Sequence, residues 1–266
     1  MIRSLKIGNG SEDCVFYKRD PFAAEKFRQM LASQGDFIKL KKTYKNTFKE
    51  IVDVNSKKFW DKNLSNAGFL IKQDGMTKDR IKTIFNIIPK NAYKILDIGI
   101  GLGYIEELLT SRKGFSLYGN DISERAIKNA KKKFEGEFKL ESWESMSFPK
   151  SKFDVVLLLE VLEHIPPSKT FQLLSKIKKY LGENGTFVLS IPVNEGLESM
   201  GDNPNGHLRI YTEDLIKAEL KIAGFKVILV MDFYAFEKFY RFKKFLSKIF
   251  RDRWKPNVLV LSAKKI

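Results

Sequence analysis

The sequence predicts an α/β fold: a seven-stranded, mostly parallel sheet flanked by helices, with an antiparallel last strand and a helical cap at its amino-terminal side. Three observations carry this. The apolar stretch Ile95-Leu96-Asp97-Ile98 runs into glycines at alternate positions (Gly99, Gly101, Gly103), and helical spacing then begins at Ile105, Leu108 and Leu109. The continuous apolar run from Phe153 to Leu159 reads as a parallel strand covered on both faces. Strand-like and helix-like stretches alternate along most of the chain.

Residues 21 to 88 carry helical spacing at Phe22, Phe27, Met30 and Leu31, then at Phe37, Leu40, Tyr44, Phe48 and Ile51, then at Ile81, Ile84, Phe85 and Ile88. Residues 1–75 are read as a helical cap and 76–266 as the main domain. The glycine turn after Ile98 lets the backbone approach a ligand closely, because no Cβ intervenes. Asp97 decides which ligand. A carboxylate at the strand end repels a pyrophosphate and holds a cationic or amino-bearing group. Phe115 to Asn120 is the second strand, ending in Asp121, about 20 residues past the glycine turn, where an acid can accept hydrogen bonds from ribose hydroxyls. Ser123 opens a helix (Ala126, Ile127, Ala130, Phe134), with Glu124 in its first turn.

Phe138 to Leu140 is a short third strand and Phe153 to Leu159 the fourth. Ser168 to Leu181 is an amphipathic helix, and Gly185 to Ile191 a fifth strand stopped by Pro192. Residues 192–209 form a Gly-, Pro- and Asn-rich loop long enough to act as a lid. Thr212 caps a helix that Gly224 ends, Phe225 to Phe233 is the sixth strand, and Val258 to Leu261 returns antiparallel as the seventh.

Charge is unevenly placed. The net +16 divides into +9 for residues 1–90, −1 for 91–232 and +8 for 233–266. A neutral core with basic flanks points to an anionic partner: a membrane surface, a nucleic acid or a charged substrate. Within the insertion 234–255, helical spacing over 236–254 puts Phe239, Phe242, Leu246, Ile249 and Phe250 on one side. Lys238, Arg241, Lys244, Lys248 and Arg251 fall on the other, while Lys243 and Arg253 intrude on the apolar side and Phe245 on the basic side. Such a helix either lies on an anionic membrane or caps the substrate pocket with its aromatic face. The single cysteine, Cys14, excludes a disulfide framework and fits a reducing, cytoplasmic compartment. Neither a signal peptide nor a membrane-spanning run is expected.

The order Asp97-x-Gly99-x-Gly101-x-Gly103 resembles the first motif of class I S-adenosylmethionine-dependent methyltransferases, a family with a Rossmann-like sheet. A dinucleotide site would instead have its third glycine where Tyr104 stands. The resemblance implies S-adenosyl-L-methionine as cofactor, with the glycine turn against its methionine and ribose parts. Asp121 would hold the ribose, with Ile122 on the adenine face. Ser142 to Pro149 resembles the family's adenine-side loop. Ser142 stands where an aspartate is usual, a departure that weakens the bond to the adenine amino group, and Trp143 would cover the ring. Glu160-Val161-Leu162-Glu163-His164 resembles the corresponding segment of the small-molecule, ubiquinone-biosynthesis-type branch. It implies that Glu160 lies by the cofactor and His164 on the substrate side. His207-Leu208-Arg209-Ile210-Tyr211-Thr212 resembles a substrate-bordering stretch of the same branch, and Phe59-Trp60-Asp61 a segment near its pocket mouth.

His164 and His207, the only histidines, are the candidate proton acceptors. The leading expectation is methyl transfer to a small-molecule or lipid-like acceptor, at oxygen. The alternatives are an RNA methyltransferase using the basic flanks and a non-catalytic binding protein on the same fold. His164-Ile165-Pro166-Pro167 is not an Asn/Asp-Pro-Pro-aromatic motif, which argues against methylation of adenine or glutamine amino groups. Cys14 has no Pro-Cys context, which argues against cytosine-C5 chemistry. Along the chain, no metal-ligand set has credible spacing, so no metal is expected.

Overall fold

The computed structural model describes residues 53–71, 75–148, 153–166, 169–195, 205–208, 210–236, 238–250 and 254–266. The expected helices before residue 53, and much of the expected lid, lie outside the described residues. Helices α1 (Lys57–Ile71) and α2 (Gly75–Ile87) precede β1 (Lys94–Ile98), α3 (Tyr104–Leu109), β2 (Ser116–Asp121), α4 (Glu124–Lys133) and β3 (Glu137–Leu140). Then come β4 (Phe153–Leu159), a 3-10 turn (Leu162–His164), α5 (Thr170–Tyr180) and β5 (Leu181–Pro192). The chain continues through α6 (Glu213–Ile222), β6 (Phe225–Phe233), α7 (Tyr240–Ile249) and β7 (Val258–Lys265).

The seven strands form one sheet in the order β3-β2-β1-β4-β5-β7-β6. Strands β3 through β5 are parallel. β7 inserts between β5 and β6 and runs antiparallel to both. The order reverses between β1 and β4, and in such sheets the crevice outside the carboxyl ends of those strands is where ligands bind.

The two faces of the sheet bury separate cores, as period-two alternation requires. On one face Leu96, Ile98, Val156, Leu158, Phe187 and Leu189 pack against Phe171, Leu174 and Ile177 of α5 and Leu215 of α6. On the other, Ile95, Val155, Leu157 and Val188 pack against Ile84 of α2, Leu109 of α3 and Ile127 of α4. Burial of β4 on both faces explains the apolar run from Val155 to Leu158, while the exposed Asp154 near its start accepts from the Tyr93 and Lys94 N–H groups.

Helix starts follow local chemistry. Ser123 accepts from the Ala126 N–H, and Thr212 from the Leu215 N–H, each satisfying an orphan donor of the first turn. β5 begins at Leu181, earlier than Gly185, because Leu181 pairs with Phe153 before an irregularity resets the register at Thr186. The insertion holds a helix of ten residues, shorter than the stretch read from spacing.

Leu158 is fully buried in the first core. Leu158→Ala should lower unfolding free energy by about 2–5 kcal/mol. In urea titrations this would appear as a lower midpoint with an unchanged slope.

Candidate active site

The glycine turn is built as the sequence implies. Gly99, Gly101 and Gly103 have φ of 81°, 54° and 72°, a region that L side chains avoid. Two are also sterically fixed. A Cβ on Gly99 would sit 2.6 Å from Val161 Cγ2, and one on Gly103 2.6 Å from Phe134 Cε2. At Gly101 a Cβ would meet only the Gly99 carbonyl, at 3.9 Å, so the turn is open there.

Asp97 and Asp121 end adjacent parallel strands and converge on this turn. Asp97 is opposite Gly119 in register, two residues before Asp121. Asp121 accepts hydrogen bonds from the Gly101 N–H at 2.9 Å and the Ser123 N–H at 2.8 Å, tying the strand end to both the turn and α4. Burial raises its pKa, against the pull of those N–H groups.

Asp97 has a neighbour that sequence reading missed. Glu106, in the first turn of α3, is 1% exposed, and its carboxyl is hydrogen-bonded to that of Asp97. One oxygen of each, Asp97 Oδ1 and Glu106 Oε1, has no hydrogen-bond partner. Burial pushes Asp97 up to about 6, with the hydrogen bond from Glu106 opposing and the charge of Asp121 adding. Glu106 is pushed well above the carboxylate range by burial and then by Asp97. Two buried carboxyls in contact share a proton, because both cannot ionise. The missed signal was the acid at the third helical position, which reads as an ordinary first-turn acid.

Beyond β4 lies a second constellation. Glu160 has φ 55°, a left-handed conformation rare for a side chain of its size. It is held by an Arg80 ion pair at 2.7 Å from α2 and by the Ser190 hydroxyl at 2.8 Å from β5. His164, in the 3-10 turn, places Nδ1 3.1 Å from the Gly206 carbonyl, which can only accept, so Nδ1 carries the proton. Trp60 of α1 packs edge-on at 4.6 Å and His207 at 4.9 Å. Burial, then the neighbouring His207, lowers the His164 pKa to about 3. His207 Nδ1 lies 2.8 Å from Glu195 Oε2. Both imidazoles thus present Nδ1 to an oxygen acceptor, and neither Nε2 has a hydrogen-bond partner among the described residues.

Glu163 completes this set. It is 1% exposed, and neither carboxyl oxygen has a hydrogen-bond partner. Burial and the charge of Glu160 push its pKa well up. Ligand atoms of Glu163, His164 and His207 lie within 4.8 Å of one another, a group that could hold a metal ion. Spacing along the chain, from which no metal-ligand set is expected, does not reveal this group. The chain hid it because His207 comes 43 residues after His164, brought back by the Leu208 N–H bond to the Glu163 carbonyl at 2.8 Å.

Other expected contacts divide. Ile122 is half-buried beside Asp121. Ser142 is engaged within its own loop, accepting from the Ser145 N–H at 3.3 Å, and Trp143 packs against the α5-side core. The Phe59-Trp60-Asp61 segment does reach the site region. Asp61 accepts from the Ser123 hydroxyl at 2.6 Å, pinning α1 to the start of α4, and Asn55 donates to the Gly206 carbonyl at 2.7 Å. A separate cleft of about 280 Å³ opens between α3 and α4, lined by Gly101, Leu102, Tyr104, Arg125, Asn129 and Lys133. It shares Gly101 alone with the expected cofactor residues, so it borders the turn rather than the crevice between β1 and β4.

A family model described as "Methyltransferase domain" matches residues 54–230. The chain belongs to this methyltransferase family. The likeness to class I methyltransferases drawn from the glycine motif therefore holds for family and fold. The ubiquinone biosynthesis O-methyltransferase of Pelagibacter ubique is 34% identical over 116 residues, covering 42% of this chain and 46% of that protein. The mitochondrial ubiquinone biosynthesis O-methyltransferase of Schizosaccharomyces pombe is 40% identical over 107 residues, 36% of this chain and 37% of that one. The matches span under half the length of these relatives. In fold, the chain is similar to a SAM-dependent methyltransferase from Archaeoglobus fulgidus, with TM-score 0.55, 23% identity, and coverage of 71% of this chain and 92% of that one. It is also similar to the N-methyltransferase NodS of Bradyrhizobium japonicum, with TM-score 0.60, 14% identity, and coverage of 79% and 98%.

The Asp97–Glu106 pair sets a pH dependence with a definite sign. Raised folded pKa values mean that the native state keeps protons the unfolded chain has released, so stability falls as pH rises. The Tm of the ligand-free protein should drop between about pH 4 and pH 7, and Glu106→Gln should flatten that drop. Parallel Tm profiles for the two proteins in differential scanning fluorimetry would count against a shared proton.

Proposed function

We propose that this protein transfers a methyl group from S-adenosyl-L-methionine to a hydroxyl of a small-molecule or lipid-like acceptor. The observation that carries the reading is two adjoining constellations at the carboxyl ends of β1, β2 and β4. One is an acid-lined glycine turn; the other is a buried Glu-His-His set. Their proximity is set by Val161, which touches the glycine turn and directly precedes Leu162–His164.

The residues fit the donor. Gly101 leaves room for close approach, and the unpartnered Asp97 Oδ1 offers an acceptor to an amino group. Asp121 spends one lone pair of each oxygen on backbone N–H groups and keeps others for ribose hydroxyls. When bound, the sulfonium supplies an activated methyl group for in-line displacement. The chain then has to position the acceptor, exclude water and deal with the proton of the hydroxyl.

That last task favours oxygen. An alcohol or phenol must shed a proton as it is methylated, and Glu163, His164 and His207 are the groups placed to assist. A His164 ring titrating near 3 is a poor proton acceptor but a constant neutral lone-pair donor. With both Nδ1 atoms held by oxygen acceptors, the set has the outer bonding typical of metal-binding histidines. We infer that it takes a divalent cation, which would lower the pKa of a hydroxyl bound to it. The relatives named as O-methyltransferases support the same choice of atom.

Two expectations follow. Asp97→Ala should weaken S-adenosylhomocysteine binding on the order of tenfold or more in calorimetry. Unchanged affinity would remove the donor site as drawn. His207→Ala should leave that affinity alone, abolish binding of Mn²⁺ measured by calorimetry, and cut transfer of labelled methyl to hydroxylated lipid extract by about 10²-fold or more. Label arriving in RNA rather than in lipid or small hydroxylated molecules would favour the alternative reading of the basic flanks.

A further inference from the structure

Helix α7 turns its amphipathic character inside out. Its polar side faces the protein. The Tyr240 hydroxyl donates to Asp79 Oδ2 of α2 at 2.8 Å, Lys244 forms an ion pair with the same carboxylate, and Ser247 is 3% exposed. Tyr240 also packs closely on Gly75 at the start of α2. The apolar side faces outward. Phe242, Phe245 and Ile249, within an arc of about 60° at 3.6 residues per turn, are 62%, 60% and 58% exposed. Phe239 and Phe250 extend the patch at either end, 79% and 51% exposed. Phe239 adopts φ 55°, a strained conformation for an aromatic residue, yet its ring gains no burial from it. Half of the large apolar side chains exposed among the described residues fall in these twelve positions, so this is a built patch and not scattered exposure.

We propose that this face docks on an anionic lipid bilayer. Charge selects that occupant. Exposed Lys238 and Arg241 border the aromatics, Lys243 lies beside them, and residues 233–266 hold ten Lys/Arg against two Asp/Glu. Phenylalanines rimmed by cations match the boundary between acyl chains and acidic headgroups. No helix among the described residues is long and apolar enough to cross a membrane, so the contact is peripheral. Among the described residues these side chains are exposed, which favours the membrane over the capping reading for this face. The inference needs no cofactor or acceptor, so it stands or falls separately from the methyl-transfer reading.

The test is co-sedimentation of the full chain with vesicles of phosphatidylcholine and phosphatidylglycerol in equal parts, beside vesicles of phosphatidylcholine alone. The protein should pellet with the mixed vesicles, and high salt should weaken binding. Phe242→Ser/Phe245→Ser/Ile249→Ser should reduce it on the order of tenfold or more while Tm and S-adenosylhomocysteine affinity hold. Lys238→Glu/Arg241→Glu should reduce it for acidic vesicles. Equal pelleting of the triple variant and the wild type would overturn the proposal. So would absence of binding to acidic vesicles, or a wild-type dimer in gel filtration that the triple variant splits, since the patch would then be a protein interface.

Discussion

The Asp97 carboxyl is buried where a parallel strand ends, beneath a turn with no room for a Cβ at Gly99 or Gly103, and much of the local structure answers to it. A lone carboxylate in that position would be costly. Here the cost is met by proton sharing with Glu106. The turn above is locked by Asp121 through the Gly101 N–H, and by the absence of room for any Cβ at Gly99 and Gly103. Strand order places β2 and β4 on either side of β1, so Asp97, Asp121 and Glu160 arrive from three adjacent strand ends.

The second constellation obeys the opposite logic. Around Glu163 lie Glu160 and Glu195, with Arg80 as the opposing charge, so the region is rich in acids. Glu163 itself keeps two unpartnered oxygens. Buried polar atoms are nearly always satisfied in native proteins, and exceptions concentrate where a ligand completes the set. The left-handed Glu160, clamped by Arg80 and Ser190, is a further sign that local strain is tolerated here for placement.

Much of the fold was legible because its signals are local. The apolar run of β4, the caps at Ser123 and Thr212 and the glycine turn each depend on neighbours within a few residues. The pairing of β7 with β5 was readable as an antiparallel return, but its position between β5 and β6 was not, since only the closed sheet fixes it. At the site, Asp97 and Asp121 could be read from spacing. Glu106 could not, because nothing in a helix's first turn distinguishes a solvated acid from one folded inward. The Glu163, His164 and His207 set needed the Leu208 N–H to bring back a distant segment. For α7, spacing grouped Phe242 and Ile249 on one side but set Phe245 among the cations, whereas Phe245 shares their exposed face, and spacing could not say which side meets the protein. That depends on Asp79, more than 150 residues earlier.

Asp79 and Arg80 are consecutive on α2, and each grips a different object: the first the outward-facing helix, the second the strained Glu160. Successive residues on a helix diverge by about 100° while advancing about 1.5 Å. α2 is therefore a short rigid beam clamped at two angles. Rolling it to follow a moving α7 would tug Arg80 out of line with its carboxylate. The helix with the exposed aromatic face and the strand end that carries Glu160 therefore share one support, although they lie far apart in sequence.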